Sequence, residues 1–411
     1  MTPMPGMASR CLRAGLTACA CVLAITPFLG CGSIPGTFLG DEPAIEGCLF
    51  EDGGCSNLTP EQCTNMDGVP QGSAVYCDDA EPNDTFNQKT NASFDADGLL
   101  RWEGAVFPRD DLDVLSFGPL SAGDRLVINA NTSGSPLDVS IALFDAEQRL
   151  VYNNDDRGGI SSPLDSRIDW IVRHGGDTYH LAIASSAFAD YGAGTGPYTV
   201  DVLLSSGHDV PEPTSQTLLL NFDGGPVDSP SLGRQTISPF NAGEISPLYH
   251  GQTGRLKELV RQAVEQNYER FDVVVITSDD PPPLDDEDVS TIHMGGFSAT
   301  LFGVAEAVDL YNADYCDDAI IYTESFTPAV FMDAPSLEGL AVAIGNVAAH
   351  EAGHLLGLNH VNDDMALMDD ASPADAFLNN QEFTIAPLSQ DLMPLGMQDA
   401  VMLLSETVGM R

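Results

Sequence analysis

The chain has 411 residues, with Lys+Arg 16 against Asp+Glu 61 and a formal net charge of −45. A field of that sign repels phosphate backbones, which excludes nucleic acid as a partner. Hydrophobic residues make up 43 %, enough for packed cores, and the length calls for two or three domains. The acidity has two readings: a solubilising surface, or carboxylates gathered for a hard cation such as Ca²⁺.

Residues 1–30 read as an export signal. Arg10 and Arg13 precede an apolar run from Ala14 to Gly30 that is short for a membrane span and broken by Pro27. Phe28-Leu29-Gly30-Cys31 resembles the lipobox of bacterial lipoproteins, although its leucine stands two residues before the cysteine rather than three. That resemblance implies lipidation at Cys31 and a mature chain held at the bacterial cell envelope. Plain signal cleavage, releasing an extracellular protein, is the alternative. No later run is apolar enough to cross a bilayer, so membrane association is expected only through the N-terminal lipid.

Residues 31–80 read as a stalk rich in Gly, Pro and Cys. Cys48, Cys55, Cys63 and Cys77 suggest two disulfides, with three connectivities open. Zinc is the weaker reading because no CxxC pair is present. Cys316 stands alone and reads as a buried thiol.

Residues 81–205 change character. DVLSFG, DRLVINA, VSIALFD, RIDWIV, TYHLAIA and YTVDVLL are strand-length apolar runs separated by Gly, Asn, Asp and Ser, and they predict an antiparallel β-sandwich. AEPNDT at 80–85, DDLDVLSF at 110–117, LDVSIALFDAEQRLVYNNDD at 137–156 and GPYTVDVLL at 196–204 resemble the bacterial pre-peptidase C-terminal (PPC) domain, a β-sandwich appended to secreted proteases. The resemblance implies Glu81, Asn83, Asp84 and Asp111 as calcium candidates. The plainer reading is that they cap turns.

Residues 206–216, with two prolines, read as a linker. Residues 217–411 mix helix and strand. TLLLNF predicts a strand, Thr253 a cap for a helix through RLKELVRQAVEQNYERF, and DVVVITS a buried strand. STIHMGG at 290–296 is a candidate sheet edge for substrate, with AIIYTE a further strand. GLAVAIGNVAAHEAGHLLG predicts a long apolar helix, and SQDLMPLGMQDAVMLLSE a terminal helix capped by Ser389. His293, a rival metal ligand, has no partner at ligand spacing and reads as structural.

The chemistry concentrates in HEAGHLLGLNH, 350–360. His350 and His354 stand four apart and share a helix face, so both imidazoles can reach one cation. Glu351 lies at the edge of that site, placed to take a proton from water. Gly357 can end the helix at positive φ and let His360 return as third ligand. Three neutral ligands and an open fourth position describe a catalytic rather than a structural zinc site.

HExxHxxGxxH is the metzincin signature, and the segment resembles that clan of zinc endopeptidases. Met368, in Ala366-Leu367-Met368, resembles the Met-turn of the matrixin branch better than Met365 does, and LSQDLMPLGMQ at 388–398 is similar to the start of the matrixin terminal helix. The resemblance implies Zn²⁺ on His350, His354 and His360, Glu351 as general base, Met368 as floor, and a protein or peptide substrate. Asp369-Asp370 replaces the Tyr-Pro type segment that shapes the matrixin substrate wall, Val361 matches no main branch, and no matrixin calcium loop, structural-zinc loop or cysteine switch is recognisable. Asp363, Asp364, Asp369 and Asp370 either favour basic side chains in substrates or are solvated loop carboxylates.

The expected architecture is therefore multidomain: an all-β antiparallel sandwich followed by an α/β metzincin-like zinc protease domain with a mixed sheet and a long active-site helix. The expected function is an exported zinc metalloendopeptidase. The alternatives are a non-catalytic surface adhesion lipoprotein on the same scaffold, and a zinc hydrolase acting on something other than protein.

Overall fold

The computed structural model describes residues 22–24, 46–50, 55–70, 82–132, 134–156, 165–189, 194–229, 231–281 and 289–411. The lipidation candidate Cys31, the cysteine Cys77 and the calcium candidate Glu81 lie outside these residues, and for Cys55 only the backbone is described. Cys48 and Cys63 form a disulfide. Cys316 is also disulfide-bonded, which corrects its reading as a free thiol: its lone position in sequence said nothing about distant cysteines.

The chain is largely β-sheet and divides into two compact units. One comprises residues 29–211 with 390–397, the other residues 1–28, 212–389 and 398–411.

The first unit contains β1 (Leu99–Val106), β2 (Leu112–Pro119), β3 (Arg125–Asn131), β4 (Val139–Phe144), β5 (Leu150–Asn154), β6 (Arg167–Ile171), β7 (Thr178–Ser185) and β8 (Gly196–Ser205). They form two sheets, β5-β4-β7-β2 and β6-β3-β8-β1, and the short strand Thr90–Asn91 joins the first in parallel with β2. Strand β3 alternates buried and half-buried positions, the period of a strand with one covered face. Strands β4 and β7 are buried almost throughout, as central strands should be. The segment 390–397 belongs here: Met397 N donates to the Gln148 carbonyl at 2.9 Å. The expected terminal helix is cut short accordingly. Gly396 at φ +88 interrupts it, and α-helix begins only at Ala400.

The second unit is built on β9 (Gln216–Asn221), the hairpin β10 (Gly225–Ser229) and β11 (Gly233–Ile237), β12 (Val273–Thr277), β13 (Val289–Met294), β14 (Leu301–Ala305) and β15 (Asp318–Ile321). Helices α1 (Thr253–Asn267), α2 (Leu337–Leu355) and α3 (Ala400–Thr407) complete it. The main sheet runs β14-β15-β13-β9-β12, parallel except for β14, with the short strand Val22–Ala24 antiparallel on the outer edge of β14.

Three expectations change here. STIHMGG is interior: β13 pairs with β9 on one side and β15 on the other. Ser290 accepts from Gln216, and His293 meets Asp318 at 3.0 Å. DVVVITS is the edge instead, and Val274 of β12 is 46 % exposed. Thr253 is the first helical residue of α1 rather than its cap, and its hydroxyl accepts from Ala242 N at 3.2 Å.

Candidate metal centre

Helix α2 carries the first two histidines. The Ser336 hydroxyl accepts from Gly339 N at 3.1 Å, which starts the helix. Nearly all its side chains are buried, so it packs on every face as an interior helix. It ends in a Schellman motif: Gly357 N donates to His354 O at 3.0 Å and Leu358 N to Gly353 O at 2.9 Å. Gly357 stands at φ +94, where a Cβ would meet the Asp309–Tyr311 backbone at about 3 Å. A glycine is therefore required twice over, by conformation and by contact.

Beyond this turn the chain is clamped on both flanks of the third histidine. Buried Gln398 accepts from Asn359 N and donates to Asn359 O, each at 2.7 Å. Ser389 N donates to His360 O at 3.1 Å, and Val361 N to Met368 O at 2.9 Å. These contacts bring the Nε2 atoms of His350, His354 and His360 into a triangle with sides of 3.0, 3.2 and 3.2 Å. Among the described residues this is the group of three ligand-type side chains whose atoms converge on one point.

The protons show what the triangle is for. His350 Nδ1 meets Leu367 O and His354 Nδ1 meets Leu358 O, both at 2.7 Å. A carbonyl only accepts, so both Nδ1 atoms carry hydrogen. Burial pushes His350 down to about 3 and His360 to about 4, and His354 well below its ordinary value. The rings are thus neutral near pH 7, and the facing Nε2 atoms of His350 and His354 present lone pairs to each other with no proton between them. Such an arrangement is repulsive unless a cation sits at its focus. Zn–N bonds of about 2.0–2.1 Å in tetrahedral geometry put ligand nitrogens about 3.3 Å apart, close to the distances here. The donor set fits zinc, and the hydrogen-bonded Nδ1 atoms fix the ring orientations as ligands require.

Glu351, next to His350 on α2, is fully buried, and neither carboxylate oxygen closes a hydrogen bond in the described structure. Burial pushes its carboxyl well above the ordinary range, with the Ala305 backbone opposing. Gly303 of β14 lies over it: a Cβ there would stand 2.5 Å from Glu351 Oε1. Met368 is buried beneath α2, its sulfur 2.7 Å from where Gly353 would carry a Cβ, whereas Met365 is exposed.

Other sequence candidates are placed differently. Asp369 is buried within its own turn, accepting from Asp363 N at 2.9 Å and Ser372 Oγ at 2.6 Å. Asp370 accepts from Ser389 Oγ. Both carboxylates are thus committed to shaping the segment after His360, which corrects their reading as cleft or solvated charges, while Asp363 is half-buried and Asp364 exposed. Ser389 is correspondingly not a helix cap; Asp399 caps α3, accepting from Met402 N at 2.9 Å. In the first unit, Asn83 is buried and donates to Asp113 Oδ1 at 2.8 Å, while Asp111 accepts from Phe107 N at 2.8 Å. Asp84 is half-buried. Gln398 and Gly303 were not singled out by sequence. A lone glycine in a strand does hint at close approach; nothing flagged the glutamine.

Residues 306–386 match the matrixin family, a stretch that holds the three histidines, Glu351 and Met368. No curated protein matches the chain. Among solved structures, it is similar to metalloproteinase-II from Bacteroides fragilis (14 % identity, 77 % of this chain and 85 % of that one, TM-score 0.24). It is also similar to archaemetzincin from Methanopyrus kandleri (14 % identity, 41 % and 87 %, TM-score 0.23). A third is the pre-peptidase C-terminal domain of a collagenase from Bacillus anthracis (15 % identity, 31 % and 100 %, TM-score 0.21). At such TM-scores these likenesses carry no weight. The matrixin match and the geometry of the triangle support a metallopeptidase that uses zinc.

Proposed function

We propose that the chain is an exported zinc endopeptidase of metzincin type, anchored to the envelope through Cys31 or released, with a PPC-like sandwich over residues 81–205 that engages substrate or matrix. The observation that carries the catalytic reading is the buried, unpaired Glu351 beside three neutral histidines whose Nε2 atoms converge within 3.2 Å. A structural zinc site has no use for an uncompensated buried carboxylate, which is costly.

His350, His354 and His360 would hold the metal. Bound zinc supplies Lewis acidity, making water nucleophilic near neutral pH and polarising the scissile carbonyl. Glu351 accepts the proton of the attacking water on a carboxylate oxygen and returns it to the leaving nitrogen. Its desolvated site makes it a stronger base than an exposed carboxylate. The extended substrate pairs with the outer edge of β14, the edge that Val22–Ala24 engages, in β-augmentation.

The test compares the mature chain with Glu351→Ala for zinc content and peptide hydrolysis. The expected result is unchanged zinc with hydrolysis lowered at least a hundredfold, in line with loss of a general base. Undiminished turnover in the variant would remove Glu351 as the base, and no turnover in the zinc-loaded parent would leave the non-catalytic adhesion reading in its place.

A further inference from the structure

The segment that leaves the third histidine, 361–367, runs beside the segment 381–389. Val361 bridges to Leu388, and Ser389 N donates to His360 O at 3.1 Å. Asn362 N donates to Pro387 O at 2.9 Å and Leu367 N to Glu382 O at 2.8 Å, while Gln381 Nε2 donates to Asp364 O at 3.3 Å. Each segment sends part of itself inward: Leu367 is buried, as are Phe383, Ala386 and Leu388. Left on the surface are Asp364 and Met365 from one segment, and Glu382, Ile385 and Pro387 from the other.

Met365 is 64 % exposed and Ile385 54 %. The turn that carries Met365 is closed rather than slack. Asp363 O accepts from Ala366 N at 2.8 Å, and Asp363 Oδ1 accepts from Met365 N at 3.1 Å. Met365 is thereby presented outward at a fixed turn. A single exposed apolar residue needs no explanation, but neighbouring ones inside a polar rim mark an interaction surface. Methionine suits such a surface, because its unbranched, polarizable side chain adapts to what it meets.

The rim decides the occupant. From Phe271 to Met410 the sequence has no Lys and no Arg, while Asp and Glu recur throughout. Among the described residues of the second unit, the Lys and Arg ion pairs lie within 228–279. Asp364 and Glu382 therefore border the patch with charge that no lysine or arginine of this stretch offsets; Glu382 Oε1 accepts from Asn380 Nδ2 at 3.3 Å. An acidic partner is repelled by such a rim. A chain with Lys or Arg beside its apolar side chains is drawn to it.

We propose that Met365, Ile385 and Pro387, rimmed by Asp364 and Glu382, form an exosite that seats a cationic amphipathic segment of a protein substrate. The segment lays apolar side chains over Met365 and Ile385 and sets Lys or Arg against the two carboxylates. Both segments of the patch are joined to His360, one by the peptide bond to Val361 and the other by the Ser389 hydrogen bond, so the seated chain is held beside the zinc centre. That this chain is a substrate rests on the peptidase reading above; its binding does not.

The test measures peptide binding by calorimetry to the full, zinc-loaded Glu351→Ala chain, in which turnover is suppressed. The probe is an end-capped peptide of alternating leucine and lysine, with leucine–glutamine and serine–lysine peptides as controls. The leucine–lysine peptide should bind at least about tenfold tighter than either control. Raising salt from about 0.1 M to about 1 M shortens the screening length from about 10 Å to about 3 Å and should weaken that binding about tenfold. Met365→Ser with Ile385→Ser should weaken it about tenfold, and Asp364→Asn with Glu382→Gln about fivefold, as for two exposed ion pairs. All four side chains are exposed, so both double variants should keep the parent's melting curve and zinc content. Unchanged affinity in the Met365→Ser, Ile385→Ser variant overturns the proposal. So does a serine–lysine peptide that binds as tightly as the leucine–lysine one, which would assign binding to the acidic field alone. A leucine–glutamine peptide that binds as tightly overturns it too, removing the carboxylates from recognition. Turnover by the zinc-loaded parent separates the two readings. A parent that binds without cleaving refutes the peptidase and keeps the patch; cleavage of the probe with kcat/KM indifferent to both double variants refutes the patch and keeps the peptidase.

Discussion

Gly303→Ala tests whether the glycine on β14 exists to make room for Glu351. The added methyl would stand 2.5 Å from Oε1, 2.7 Å from Cγ and 2.9 Å from Cδ of Glu351. Ordinary carbon contacts are about 3.5–4.0 Å, so the carboxylate must withdraw by about 1 Å. It is fully buried, so the shift displaces packed neighbours as well. Overpacking of this kind costs about 1–3 kcal/mol, and each kcal/mol lowers the thermal midpoint of a unit this size by about 2–4 °C. Displacing a catalytic group by about 1 Å costs about a hundredfold in rate. The histidines are oriented by the Leu367 and Leu358 carbonyls rather than by β14, so zinc content should hold. The assay is steady-state peptide hydrolysis with metal analysis and a melting curve on the same preparation. The expected result is a fall mainly in kcat, with stoichiometric zinc. A variant within threefold of the parent in kcat, or one that loses zinc in proportion to activity, would refute the placement of Glu351 under β14.

Gln398→Leu removes both hydrogen bonds that Gln398 makes to the Asn359 backbone; zinc affinity, measured by competition with a chromophoric chelator, should fall about 10–100-fold. Stripping zinc should destabilise the second unit by about 4 kcal/mol relative to the chain held at a thousand times the zinc dissociation constant, and re-addition should restore both melting point and hydrolysis. In the first unit, burial, then Asp138, raises Asp155 to about 7. The fold therefore prefers the protonated form: its contribution is full below the ordinary carboxylate range and is lost as pH rises toward about 7. Unfolding free energies from urea titrations should fall between pH 4 and pH 7 by at most about 1.4 kcal/mol per pH unit from this group, and Asp155→Asn should flatten that slope.

The site was legible where the chemistry is local. His350, His354 and Gly357 are related by one helix and its end, so their spacing carries the geometry, and His360 follows within six residues of His354. The strands of the first unit were legible for the same reason, since alternation and turn residues are written over a few positions. Failures came where one segment's role depends on another. STIHMGG read as an edge, but its partners, Gln216 and Asp318, lie elsewhere in the chain. SQDLMPLGMQDAVMLLSE looked helical as a whole, but Ser389 and Gln398 are taken by His360 and Asn359. The aspartates after Met368 looked like surface charge until the turn they organise was seen to close on them.

The sequence by itself determined the identity of the ligands, the base and the helix stop, because covalent spacing along a helix decides which side chains share a face. Only the tertiary structure decided that Glu351 is sealed beneath Gly303, that β14 lies against the base, and that Gln398 holds the third ligand's neighbour. Each of these depends on contacts between distant segments, selected by the packing of the whole unit rather than by any local period.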